Sequence, residues 1–275
     1  MSKEHVSYVK AHEAHSSSSG CIIYCTSRYE PGNPHSHRWH AANQARGEGR
    51  VPYADFPLFE SRRFFRPKAI LEGLQKRGGI EGAITPDGRT YTGMVRPFHS
   101  AEHPFPHNAH HIIPSGEIEG CINKVVAKAA PNEGRMQDLV VGGLLTEPYN
   151  NNDQPNMIVL PTELEASEVT GLPKHTAQSA SSGRNLPQHM NYSAMVRKQL
   201  RCKFVKLYRS LSSAVAAEVH PKDQKVPTAG PMMVAISRQT YEAIISIAQA
   251  RSAVGATMDS TAREILRLAR RSSSR

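Results

Sequence analysis

The chain has 275 residues, 39% of them apolar, a mean hydropathy of −0.48, and 34 Lys and Arg against 24 Asp and Glu, giving +10 and a pI near 9.6. That length holds one large domain with extensions. No run approaches the ~18 apolar residues of a membrane span, residues 1–20 lack a secretory apolar core, and four cysteines are too few for a disulfide scaffold. The basic excess suits a polyanionic partner, with nucleic acid first among them.

Residues 1–20 are polar, end in "SSSSG" and read as a disordered N-terminus. From 21 to about 66, "PGNPHSHRWH" and "GEGRVPYADFP" are dense in turn formers, which predicts irregular chain around a strand-like "CIIYC" (21–25). A helix is expected over 67–79, with Pro67 in its first turn and Gly78 as its stop, then a hairpin over 82–95 around "PDG". Residues 21–95 therefore form an N-terminal extension, and the candidate functional domain spans 96–219.

Within that domain a helix is expected over 120–130, ended by Pro131. Residues 136–145 fit either a helix or a buried strand. "NMIVLP" (156–161) predicts a short strand, and 161–169 a short helix with acidic residues in its first turn. The polar run 174–189 reads as a loop. A long helix is expected from Tyr192 to about Val219, with Val196, Leu200, Phe204, Leu207, Tyr208 and Leu211 as its apolar stripe. Its basic residues, including Arg197 and Arg201, face either phosphate or solvent. After a break at 221–231, residues 220–275 form a C-terminal helical segment. Its helices are expected at 238–253 and 260–271, the second opened by Thr261-x-x-Glu264.

The chemistry concentrates in "HSAEHPFPHNAHHIIPSGE" (99–117), which holds five histidines. Adjacent side chains on a strand point to opposite faces, so His110 and His111 serve one reaction centre only where the strand ends, as Pro114 predicts. A pair there can place one imidazole on a metal ion and the other beside a water. Phosphodiester hydrolysis needs that division: a cation offsets phosphate charge while a neutral base takes a proton from water. Histidine, with an ordinary pKa of about 6.5, can be that base. Asn156, on the neighbouring strand, could orient it, and His175 and His189 are the later histidines before His220.

The order "AHHIIP … NNNDQPNMIVLP … GLPKH … HMNYSAMVRKQL" over about 100–212 resembles the AHH nucleases of the HNH/endonuclease VII superfamily. The resemblance implies an α+β fold built on a ββα-metal (His-Me) finger, and a metal-dependent endonuclease acting on DNA, with RNA as the alternative substrate. It makes His111 the general base and Asn156 the residue that braces the strands and orients it. His110, His175 and His189 become metal ligands, and Tyr192 opens the following helix. His107, Arg197 and Arg201 are candidate nucleic-acid contacts. Mg²⁺ is the expected ion, since it bridges phosphates, while imidazoles also suit Zn²⁺ or another transition metal. One departure is the thirteen residues between His175 and His189, where relatives keep these histidines close.

The resemblance further implies an antibacterial toxin made in the bacterial cytoplasm and carried, without a signal peptide, into a target cell's cytoplasm. A secretion-apparatus component or adaptor and a cognate immunity protein would be its partners, with no membrane insertion. A rival reading draws on Cys21, Cys25, His35, His37 and His40, whose types suit structural Zn²⁺ in a spacing that fits no standard pattern. Under it the protein binds nucleic acid without cutting it. Cys121 and Cys202 read as small packing residues.

Overall fold

The computed structural model describes residues 22, 30, 32–47, 98–100, 103–146, 149–162, 164–178, 185–187, 190–218 and 226–272. The expected disordered N-terminus, the 67–79 helix, the 82–95 hairpin, both N-terminal cysteines and His189 lie outside them. The described residues form an α+β structure.

Strands β1 (Phe98–Ser100), β2 (His103–His111) and β3 (Met157–Pro161) make an antiparallel sheet in that order. The β2–β3 register runs from His107 opposite Pro161 to His111 opposite Met157. All five residues of β3 are buried, so its apolar run is covered on both faces rather than alternating. Strand β2 ends at His111; Ile112 and Ile113 drop into the core, and Pro114 becomes the N-cap of α2 (Ser115–Val126).

The expectation of irregular chain over 21–66 is corrected by α1 (His37–Gly47). Ser36 starts it: Trp39 N–H donates to Ser36 Oγ (3.3 Å) and His40 N–H to Ser36 O (3.1 Å). Its buried face is His40, Ala41, Ala42 and Ala45, and it packs on β2 and β3. Alanine allows close approach but gives a weak apolar signal, which is why turn formers dominate the sequence pattern there.

Helix α2 begins five residues before Gly120, and the open segment resolves as helix α3 (Glu133–Thr146). After β3 comes α4 (Leu164–Thr170), closed by Gly171 at φ +71°, where a Cβ would lie 2.2 Å from Ala248 O. The expected loop 174–189 contains a two-stranded ladder, β4 (Thr176–Gln178) with β5 (Asn185–Pro187). The single long helix is two: α5 (Met190–Leu207) and α6 (Arg209–Ala216), broken at Tyr208, whose hydroxyl donates to Pro227 O at 2.9 Å.

Helix α7 (Gly230–Gln249) starts earlier than expected because Pro231 suits a first turn. Helix α8 (Met258–Ser272) is opened by Thr257, not Thr261. Thr257 Oγ1 accepts from Ser260 N–H (3.2 Å) and Ser260 Oγ accepts from Thr257 N–H (2.9 Å), while Thr261 donates to Thr257 O (3.0 Å). These C-terminal helices are not an appendage. Met233, Ile236, Ile244, Met258 and Ile265 share one core with Ile112, Val159 and Tyr192.

Cys121 is buried in that core, which pushes its thiol up to about 11, but Cys202 is exposed and so does not pack as expected. Among the described residues no helix is long and apolar enough to cross a membrane.

Candidate active site at the end of strand β2

Alternation along β2 sends the two histidines to different neighbours. His110 lies with His175 (ring centroids 5.1 Å apart) and Tyr192 (5.2 Å). His111 lies with His37 of α1 (5.4 Å) and with Asn152, whose Oδ1 is 3.0 Å from His111 Nε2. An amide oxygen can only accept, so this bond places a proton on Nε2 and leaves Nδ1 the lone pair. Burial holds the His111 imidazole below the usual histidine range, and the Asn152 bond offsets part of that. At neutral pH the ring is therefore a neutral base with its tautomer set.

Asn156 sits elsewhere in the network. Its Oδ1 accepts from Ile113 N–H (2.8 Å) and from Ser237 Oγ–H of α7 (2.7 Å). Its Nδ2 donates to Ile113 O (3.2 Å), Asn151 O (2.8 Å) and Asn151 Oδ1 (2.8 Å). With Ile112 N–H bonded to Asn156 O (2.8 Å), this residue ties the end of β2 to the turn before β3. It ties backbone to backbone, while the imidazole's hydrogen-bond partner is Asn152. Asn152 in turn is held through its N–H, which donates to Asn150 Oδ1 (2.9 Å).

On the other side, Tyr192 is fully buried and donates from its hydroxyl to Ile112 O (2.8 Å). Burial raises this phenol far above its usual range, so it acts as a fixed donor. His110 and His175 are 4% and 6% exposed, and His175 Nδ1 lies 3.2 Å from Nδ2 of buried Asn108. The structure thus brings His110, His175 and Tyr192 together; His189 and the His107 side chain fall outside what it describes.

Two candidate phosphate contacts on α5 differ. Arg197 makes a two-pronged pair with Glu117 of α2, Nε to Oε2 at 2.6 Å and a terminal nitrogen to Oε1 at 2.7 Å. Glu117 is buried, so this guanidinium is first a structural counter-ion. Arg201 is exposed. The N-terminal histidines divide as well: His37 faces His111, while His40 Nδ1 lies 3.6 Å from Asp153 Oδ1, and burial lowers the His40 pKa against that carboxylate's pull. Among the described residues no three His, Cys, Asp or Glu side chains are grouped to hold a metal ion.

Sequence reasoning missed Asn152 and offered His37 only as a zinc ligand of the rival reading. "NNND" (150–153) held the signal for Asn152: side-chain amides just ahead of a strand that pairs with the histidines. No local signal marks His37, because its place depends on how α1 docks. Comparison with family models, curated proteins and solved structures finds no match to this chain.

Proposed function

We propose that the protein is a metal-dependent nuclease of the ββα-metal type, hydrolysing DNA phosphodiesters with His111 as general base. The observation that carries this reading is the His111–Asn152 bond, which fixes a neutral imidazole with its lone pair on Nδ1 at the end of a strand. His111 would take the proton of the attacking water at Nδ1, and Asn152 would hold the ring in place as its charge develops. His37, 5.4 Å away, adds a second imidazole to that face.

Two residues on the opposite face of β2 are of a type that would hold a cation. His110 and His175 are buried imidazoles 5.1 Å apart, and two nitrogen ligands suit Mg²⁺ less well than Zn²⁺ or another transition metal. A bound divalent ion would offset charge on the phosphate and the departing oxygen. Since an amide nitrogen can only donate, Asn108 must turn its amide over to accept from His175 Nδ1–H before Nε2 can serve as a ligand. His189 is the further ligand that the motif resemblance supplies. Delivery as an antibacterial toxin, by a secretion apparatus or adaptor and against an immunity protein, rests on that resemblance alone.

The test is to incubate the full chain with supercoiled plasmid and, in parallel, total RNA, each with and without chelator. Chelator-sensitive nicking of plasmid supports the reading. Intact but retarded plasmid supports a second one, favoured by the burial of His110, His175 and Asn108: this cluster is structural and the protein binds nucleic acid without cutting it.

A further inference from the structure

Charge on this protein is unevenly placed. Helices α5 and α6 carry Arg197, Lys198, Arg201, Lys203, Lys206 and Arg209 and not one acidic residue. Helix α8 carries four arginines against Asp259 and Glu264. Most of the chain's excess of +10 therefore lies on three helices.

The arginines of α8 form a ridge. At about 100° per residue, Arg263, Arg267, Arg270 and Arg271 fall within about 100° of arc. They stand opposite the buried Met258, Ala262, Ile265 and Ala269. All four are exposed, and the ridge runs about 12 Å along the helix. The four arginines outnumber the two acids of the helix. Asp259 caps α5, accepting at Oδ1 from Asn191 N–H (2.5 Å) and Tyr192 N–H (3.0 Å), and Glu264 lies 3.6 Å from Arg267.

Position gives the ridge its meaning. Helix α8 packs against α5, and the Asp259 cap joins the two helix starts at Tyr192, whose ring is 5.2 Å from His110. Two basic helices thus begin beside the candidate active site and lead away from it. We infer that α5 and α8 together grip the phosphate backbone of duplex DNA and lead it to the end of β2; this rests on the nuclease reading above.

Surface chemistry selects the duplex. Proteins that track single strands stack bases on aromatic rings. Here Tyr192, Phe204 and Tyr208 are buried, and α8 contains no aromatic residue. Exposed guanidinium groups on such a helix suit a duplex, whose bases are already stacked and whose phosphates form the accessible surface. Arginine is also the cation whose planar fork matches phosphate oxygens.

The experiment measures binding of the full-length His111→Ala protein to a short DNA duplex, the matching single strand and an RNA duplex of the same sequence, over a series of salt concentrations. The same is done after changing all four α8 arginines to Gln, and after changing them to Lys. Each phosphate that the protein no longer neutralises reduces the slope of log K against log salt by about 0.9. The Gln variant is expected to neutralise roughly two to four fewer phosphates, a fall of about 2 to 4 in slope, and the slope of the Lys variant to fall by less than about 1. Circular dichroism confirms that both fold. A slope change below about 1 in the Gln variant, absence of duplex binding, or tighter binding to the single strand or the RNA duplex would overturn the inference. The plasmid assay is independent: His111-dependent nicking with an unchanged slope sinks this surface alone, whereas a changed slope without nicking sinks the nuclease reading alone.

Discussion

His111 and Asn152, 41 residues apart in the chain, meet through a 3.0 Å contact between Nε2 and Oδ1. This bond decides which nitrogen of the imidazole carries the proton, and so which one can accept another. Removing it in Asn152→Ala leaves the ring free to rotate and to adopt either tautomer. Cleavage is expected to fall about 10- to 100-fold, the usual cost of losing a partner that orients a site residue. Asn152→Asp keeps an acceptor but adds an anion, which stabilises the imidazolium and raises its pKa. The acid limb of the pH–rate profile should then move to higher pH, a shift that general destabilisation would not produce.

Acid stability follows from the same burial. The folded-state pKa values of His111 and His40 both lie below the ordinary 6.5. Between those lowered values and about 6.5 the unfolded chain binds more protons than the folded one, so stability rises with pH through that window. It is fully present above about 6.5 and is lost as pH falls toward the folded-state values. Thermal melts at pH 7.5 and 5.5 should show a lower midpoint at pH 5.5. The His40→Gln variant should show a smaller difference between the two; an equal or larger difference would contradict this.

Asn156 is a brace, and its variants should behave as a brace's would. Asn156→Ala leaves the buried Ile113 N–H and O and the Asn151 amide without this partner, at a cost of about 3 kcal/mol. Ser237→Ala removes one of the donors to Asn156 Oδ1 and should cost about 1 kcal/mol. Urea unfolding measures both. Ser237→Ala should also leave the pH–rate profile where it was, because the His111 bond is untouched.

The Glu117–Arg197 pair separates structure from binding. Arg197→Ala strands a buried carboxylate, although its own guanidinium is 45% exposed, and should cost about 1–2 kcal/mol. Arg201→Ala, at an exposed position, should leave stability within about 0.5 kcal/mol and weaken DNA binding instead. Chemical denaturation alongside a binding titration reads the contrast. A matched loss of affinity without loss of stability in Arg197→Ala would mean its contact with Glu117 has little energetic weight.

The parts of this fold legible in the sequence are those specified locally. "NMIVLP" carries its own strand signal and forms β3 next to the histidine strand. The stripe Val196, Leu200 and Phe204 carries its helix and is buried. The pairing of His110 with His175 also matches the order of motifs. What escaped depends on distant partners. The apolar residues that helix α1 buries are all alanines, and His37 reaches His111 through docking. Asn152 and Asn156 look alike in "NNNDQPN", and the sequence pattern favours the one nearer the strand. Which amide meets the imidazole and which ties the backbone is decided by the turn between them. Thr257 and Thr261 show the same ambiguity at α8, where the reciprocal bonds with Ser260 select the earlier threonine.

The most direct measurement is the initial rate of plasmid nicking by equal amounts of folded wild-type, His111→Ala and His35→Ala protein, in Mg²⁺ and in Zn²⁺. A general base contributes about 10²- to 10⁴-fold, so His111→Ala should lose at least that lower factor in whichever metal supports activity. His35→Ala should keep most of its rate. Equal rates for wild-type and His111→Ala protein would contradict the assignment of this imidazole as the base and, with it, the nuclease reading of the site.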